Sequence, residues 1–83
     1  MALDLAKYNI QVNAIAPGFT YTGMTSKSLD NSEIRKTSEN LIPNGRIAMP
    51  EDISKVIMFL LSDSSDYING ETIFVDGGYS ILK

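Results

Sequence analysis

The sequence contains no cysteine, no histidine and no tryptophan among its 83 residues. Without cysteine there is no disulfide framework, thiolate nucleophile or thiolate metal site; without histidine there is no imidazole base, so triads of the Ser-His-Asp kind are excluded. Long apolar runs are also missing. The longest, Val56 to Leu61, falls far short of the roughly 20 residues of a membrane span, and no basic start followed by an apolar block opens the chain. A soluble, cytoplasmic protein is expected, with no membrane partner. Positive charge is sparse: seven Lys and Arg against ten Asp and Glu leave a formal net charge of -3, and the cations form no stripe. Binding to a phosphate backbone therefore has little support, and nucleic acid is not an expected partner.

What is present is globular in character. Hydrophobic residues make up 43% and charged residues 20%, far from the profile of a disordered chain. Residues 1–8 are good helix formers with no capping residue before them, and they read as the end of a helix. Residues 10–16, Ile-Gln-Val-Asn-Ala-Ile-Ala, alternate as a strand that stops at the turn dipeptide Pro17-Gly18. From Phe19 to Asn44 the chain is rich in Thr, Ser and Asn, with a weakly helical patch over residues 32–41 that could start under a Ser or Asp cap. Pro50 then opens a helix: Glu51 and Asp52 lie in its first turn, and Ile53, Val56, Ile57, Leu60 and Leu61 follow at helical spacing, a stripe expected to be core. Turn residues fill 62–70, Glu71 to Val75 reads as a strand, and Asp76-Gly77-Gly78 closes it. That closing turn is expected to use Asp76 as a cap for local amides and glycine for positive φ.

Helix, strand, excursion, helix, strand is the order of an α/β protein with two parallel strands joined by a crossover. Parallel strands are ordinarily buried on both faces, and one amphipathic helix with a helical stub cannot cover two faces and two edges. Two strands alone are unstable. The pattern is thus that of the last third of a larger doubly wound parallel sheet, incomplete as a stand-alone domain.

The residues that explain this pattern are Ala2-Leu3-Asp4-Leu5-Ala6, Ile10 to Gly18, Arg46 with Pro50-Glu51-Asp52-Ile53, and Ile68-Asn69-Gly70-Glu71 leading into Val75-Asp76-Gly77-Gly78. In this order and spacing the chain resembles the C-terminal part of classical short-chain dehydrogenases/reductases, of the 3-oxoacyl-carrier-protein-reductase-like kind. The resemblance implies that residues 1–83 are the C-terminal part of one NAD(P)-binding Rossmann domain, contributing its last two strands and the intervening helix, with 19–49 as a substrate-covering loop. It implies NAD or NADP as cofactor, a small carbonyl or alcohol as substrate, and hydride transfer between them. Carried over by position, Pro17, Gly18, Thr20 and Thr22 would contact the nicotinamide end of the cofactor, and Phe19, Tyr21 and Met24 would line the substrate loop. A homo-oligomer through the last strand and the Pro50 helix is implied as well. Asn13, by contrast, is expected to satisfy nearby backbone groups rather than a ligand.

The family's catalytic Tyr, Lys and Ser are not identifiable in this segment, so no catalytic residue and no metal ligand is assigned. The six glycines contain no Gly-x-Gly pair, so the phosphate-binding loop is absent too. Tyr79 and Lys83 stand at a Tyr-x-x-x-Lys spacing, but they follow the closing strand without a suitably placed Ser, and the spacing is read as coincidence. The expectation is a segment of an oxidoreductase, inactive alone, whose catalytic residues lie upstream of Met1. The alternative is a non-catalytic product acting as a subunit-association module. An anion-binding module at the start of the Pro50 helix is disfavoured by Glu51 and Asp52, whose charges oppose it.

Overall fold

The two expected strands pair in parallel in the computed structural model, which describes residues 1–81. Strand β1, Ala14–Pro17, lies beside β2, Thr72–Val75, in the register Ala14 to Thr72 through Pro17 to Val75. Helix α1 is Ala2–Ala6, α2 is Ser26–Leu29, α3 is Ser32–Asn40 and α4 is Pro50–Leu60. Short 3-10 turns at Asp63–Ser65 and Tyr79–Ile81 complete the described chain. Lys83, half of the Tyr-x-x-x-Lys pair, lies outside the described residues.

β1 is shorter than the alternation over 10–16 suggests, because the stretch before it is tied by side chains instead of a ladder. The Gln11 amide donates to the carbonyls of Ser65 at 2.7 Å and Ile68 at 2.6 Å. Asn13 donates to Ile68 O at 3.1 Å and accepts from Glu71 N–H at 3.0 Å. Between them, Val12 N–H donates to Asn69 Oδ1 at 3.0 Å, and Gly70 N–H donates to Val12 O at 2.8 Å. These bonds satisfy the backbone where strand pairing has not yet begun, and Asn13 has the structural role its position suggested.

Helix α4 starts as its sequence dictates. Pro50 occupies the first turn, and Asp52 reaches back to accept from Met49 N–H at 2.8 Å. Its C-terminal end is locked by Ser65, fully buried, whose hydroxyl donates to Leu60 O at 2.9 Å. The apolar stripe of α4 is nevertheless not core: among the described residues of the helix none is buried, and Ile57 and Leu61 stand open to solvent. The physical reason is a shortage of layers, since a two-stranded sheet offers no further surface for the stripe to cover.

The buried hydrophobic residues among those described are Leu29, Ile42 and Ile47, with Phe19 and Tyr21 packed against them. The core therefore sits inside the 19–49 excursion, whose sequence is rich in Thr, Ser and Asn from Phe19 to Asn44. Helix α3 there begins under Asn31, whose side chain accepts from Glu33 and Ile34 N–H, and not under the expected Ser or Asp. The radius of gyration is 15.6 Å, against the ~12 Å of a compact chain of this length.

Candidate functional site

The site is built where β1 ends. Pro17 is the last paired residue, and Gly18 N–H still donates to Val75 O at 3.1 Å. A Cβ on Gly18 would stand 2.6 Å from Asp76 Cβ and 2.9 Å from Asp76 Cα; such a contact requires the chain to move, so glycine is demanded here by the approach of Asp76. Beyond Gly18 the chain runs beside Ala48: Tyr21 N–H donates to Ala48 O at 2.8 Å and Ala48 N–H to Phe19 O at 2.9 Å. This bridge turns the Thr20 peptide the other way. Its carbonyl accepts from Thr25 Oγ1 at 2.7 Å, and its N–H donates to no group among the described residues.

Thr22 caps the next turn. Its hydroxyl oxygen accepts from Met24 N–H at 3.2 Å and Thr25 N–H at 3.3 Å, while Thr22 N–H donates to Thr25 Oγ1 at 2.8 Å. The Thr22 hydroxyl thus accepts on one side, and its proton has Thr25 Oγ1, 3.3 Å away, as an acceptor, the Thr25 proton being given to Thr20 O.

Pro17, Gly18, Phe19, Thr20 and Thr22 line one open cleft of about 690 Å³, together with Thr25, Phe74, Asp76 and Tyr79. Its volume lies within the range of small-molecule sites. Phe19 meets Tyr79 edge to face, with ring centroids 5.2 Å apart and planes at 84°. Tyr21 and Met24 are not brought to the cleft. The Tyr21 ring packs on the Leu29, Ile42 and Ile47 cluster, and its hydroxyl donates to Asp30 Oδ1 at 2.8 Å. That bond to Asp30, ahead of partial burial, pushes the phenol up from its ordinary range. Met24 is 96% exposed. Thr25 and Tyr79 were missed as site residues. The Thr22-x-x-Thr25 spacing is a capping signal that could have found the first; Tyr79 is placed only by the positive-φ turn through Gly77 and Gly78.

Beside the cleft, sharing only Phe19, Phe74 and Asp76 with it, a second hollow is bounded by an ion pair and by that turn. Arg46 binds Asp52 through two bonds, Nη1 to Oδ2 at 2.8 Å and Nη2 to Oδ1 at 3.0 Å. The guanidinium bonds, then the Met49 amide, hold the Asp52 carboxyl well below the usual range. Asp76 accepts from Gly78 and Ser80 N–H, both at 3.0 Å. Desolvation pushes its carboxyl up, but the Ser80 side-chain bond and the backbone amides prevail and hold it low. A Cβ on Gly77 would meet Ile42 Cγ2 at 2.7 Å, and Asn44 N–H donates to Gly77 O at 3.0 Å. The far end of the 19–49 excursion is thus docked on the turn that closes β2. As expected, Asp76 acts as a cap there.

No described helix is long and apolar enough to cross a membrane. Residues 1–80 match the family model described as enoyl-(acyl carrier protein) reductase. The chain is 48% identical over 80 residues to 3-oxoacyl-[acyl-carrier-protein] reductase FabG of Thermotoga maritima, covering 96% of this chain and 32% of that protein. It is 41% identical over 81 residues to 3beta-hydroxysteroid dehydrogenase 1 of Eggerthella lenta, covering 98% and 31%. Among solved structures, 4-hydroxyisoleucine dehydrogenase complexed with NADH superposes with a TM-score of 0.94 at 31% identity, over 100% of this chain and 34% of that one. A gluconate 5-dehydrogenase from Burkholderia cenocepacia in complex with NADP and tartrate gives 0.89 at 34% identity, over 100% and 32%. The chain spans about a third of the length of the curated relatives it matches. With its strand order, its Pro17-Gly18 turn and its closing Asp76-Gly77-Gly78 all within the matched stretch, the chain belongs to the short-chain dehydrogenase/reductase family of oxidoreductases, in a segment similar to the 3-oxoacyl-acyl-carrier-protein reductases.

Proposed function

We propose that this chain is the distal part of the Rossmann domain of an NAD(P)-dependent oxidoreductase, acting in the cytoplasm on a small carbonyl or alcohol. The observation that carries the reading is the convergence of Pro17, Gly18, Thr20 and Thr22 on one cleft, at the carboxyl end of a parallel strand, where open α/β sheets bind their ligands. The residues suit the nicotinamide carboxamide. The Thr20 N–H lacks an acceptor among the described residues, the Thr22 hydroxyl can exchange its long 3.3 Å bond to Thr25 Oγ1 for a ligand acceptor, and both stand beside an apolar wall of Pro17 and Phe19. Bound there, the cofactor would supply the hydride; the chain's own residues orient its amide and, through Phe19 and Tyr79, keep water from one side. Catalytic proton transfer belongs to residues outside this segment. A homo-oligomer through β2 and α4 forms part of the same proposal, since both present uncovered apolar surface.

The test joins the chain to the in-frame sequence preceding Met1 and titrates the product with NADH and NADPH. Binding is expected, and Thr20→Pro, which removes the N–H, should weaken it about tenfold, as loss of one buried hydrogen bond would. An in-frame stop directly upstream, or binding unchanged in Thr20→Pro, would overturn the reading. The second reading, a non-catalytic association module, is favoured by one observation only, the exposed Ile57, Met58, Phe59 and Leu61 at the end of α4. It requires an 83-residue product that self-associates without binding dinucleotide.

A further inference from the structure

The sequence carries two Asn-Gly pairs, Asn44-Gly45 and Asn69-Gly70. Asn-Gly is the pair at which a backbone amide most easily attacks the preceding side chain, because glycine offers no Cβ to hinder the approach. In both pairs the glycine is at positive φ, +77° for Gly45 and +75° for Gly70. Sequence alone ranks the two as equal. The structure does not.

Asn69 is held at both reacting groups by a distant part of the chain. Its Oδ1 accepts from Val12 N–H at 3.0 Å, and the Gly70 N–H, whose nitrogen would be the nucleophile, donates to Val12 O at 2.8 Å. The Gln11 and Asn13 side-chain bonds to residues 65–71 flank this pair of contacts. For Asn69 to react, this whole clasp must open. Asn44 is exposed, as Asn69 is, but its long-range bond, from its own N–H to Gly77 O at 3.0 Å, holds neither reacting group. The Gly45 N–H donates to Ile42 O at 2.8 Å, a bond local to the turn, and the Asn44 carboxamide has no hydrogen-bond partner among the described residues. Local bonds in exposed turns open at low cost, whereas a multiply bonded long-range contact opens with its cooperative unit.

We propose that Asn44-Gly45 is a site of spontaneous deamidation in the folded protein, and that the clasp of residues 11–13 on 65–71 guards Asn69-Gly70 against the same reaction. The Gly45 nitrogen forms a bond to Asn44 Cγ and loses its proton, while the Cγ–Nδ2 bond breaks and ammonia leaves, giving a cyclic imide. Water then adds at either ring carbonyl and opens the ring, leaving aspartate or isoaspartate at position 44. The co-reactant is water alone, and nothing is oxidised or reduced.

The consequence falls on the turn that closes β2. The Asn44 side chain lies against Gly77, its Cβ 3.2 Å from where a Gly77 Cβ would be, and its N–H donates to Gly77 O. A carboxylate there is brought next to the Asp76 turn, whose Asp76 is already ionised, and the nearby Arg46 is already paired with Asp52. Isoaspartate also lengthens the backbone within the turn that docks residues 42–45. Modification at Asn44 therefore loosens the end of the 19–49 excursion from the turn closing β2.

The test incubates the chain, joined to the in-frame sequence preceding Met1, in mildly alkaline buffer made with heavy-oxygen water and follows both sites by peptide mass spectrometry. Label is expected at Asn44 roughly tenfold faster than at Asn69 or more, the factor set by the difference in opening cost, and the two rates should converge in concentrated urea. Equal rates without denaturant, or faster labelling of Asn69, would overturn the proposal. As a second arm, Asn13→Ala removes two bonds of the clasp and should accelerate Asn69 alone; acceleration of neither site would equally count against the guarding role.

Discussion

Gly18 and Asp52 show how single residues set the site. Because a Cβ at Gly18 would press within 2.6 Å of Asp76 Cβ, and because both atoms belong to the tight junction of β1 with the turn after β2, Gly18→Ala cannot be absorbed by a rotamer change. Overpacking of this kind costs about 1–3 kcal/mol. Exchange of the Gly18 amide hydrogen, which is bonded to Val75 O, should accelerate in the variant; unchanged protection would show that the junction is looser than the geometry states. Asp52 contributes to the response to acid. Its folded carboxyl is held below the ordinary range by Arg46 and then by the Met49 amide, so the stability it contributes is complete above the ordinary carboxylate range and is lost as pH falls through the folded value. Asp52→Asn should remove that acid-dependent part. The measurement is helicity followed by circular dichroism across an acid titration, where the variant's curve should be flatter; identical slopes would mean that Arg46 and Asp52 are not coupled in solution.

At the scale of elements, the excursion over 19–49 behaves as a small folded unit. Ile47 is 3% exposed and closes the cluster with Leu29 and Ile42, so Ile47→Ala should cost about 2–5 kcal/mol and melt α2 and α3 together. Amide signals of residues 26–40 would then collapse while the Gly70 amide stays protected; loss confined to α3 would refute a shared core. This unit was the least legible part of the sequence. Leu29, Ile42 and Ile47 are isolated apolar residues in a polar stretch with no common period, and only long-range packing brings them together. By contrast α4 could be read at once from Pro50, its acidic first turn and its apolar spacing, and β2 from its β-branched run. The cleft was half legible: Pro17, Gly18, Phe19, Thr20 and Thr22 are consecutive or nearly so, whereas Tyr79 arrives from the other end of the chain through two glycines at positive φ. The reach of β1 was overestimated, because alternation over 10–16 does not distinguish a ladder from the side-chain clasp made by Gln11 and Asn13.

For the whole molecule the decisive quantity is uncovered apolar surface. Ile57, Met58, Phe59, Leu61 and Phe74 are each at least 42% exposed, and they lie on α4, on the residue that caps it and on β2, elements whose sequences are most clearly built for burial. A sheet of two parallel strands has both outer edges free and no second layer, and three buried hydrophobic side chains are too few to offset the ordering of this many residues. The 83-residue chain alone should therefore unfold over a broad temperature range, bind a hydrophobic dye before any heating, and associate as its concentration rises. Joined to the rest of a Rossmann sheet, the same stripe of α4 has a face to cover, and dye binding should fall while the transition sharpens. A calorimetric scan of the chain at low concentration decides the matter. A single sharp transition whose calorimetric and van't Hoff enthalpies agree would mean that the excursion's small core suffices, and that α4 holds its open stripe for some purpose other than completing a sheet.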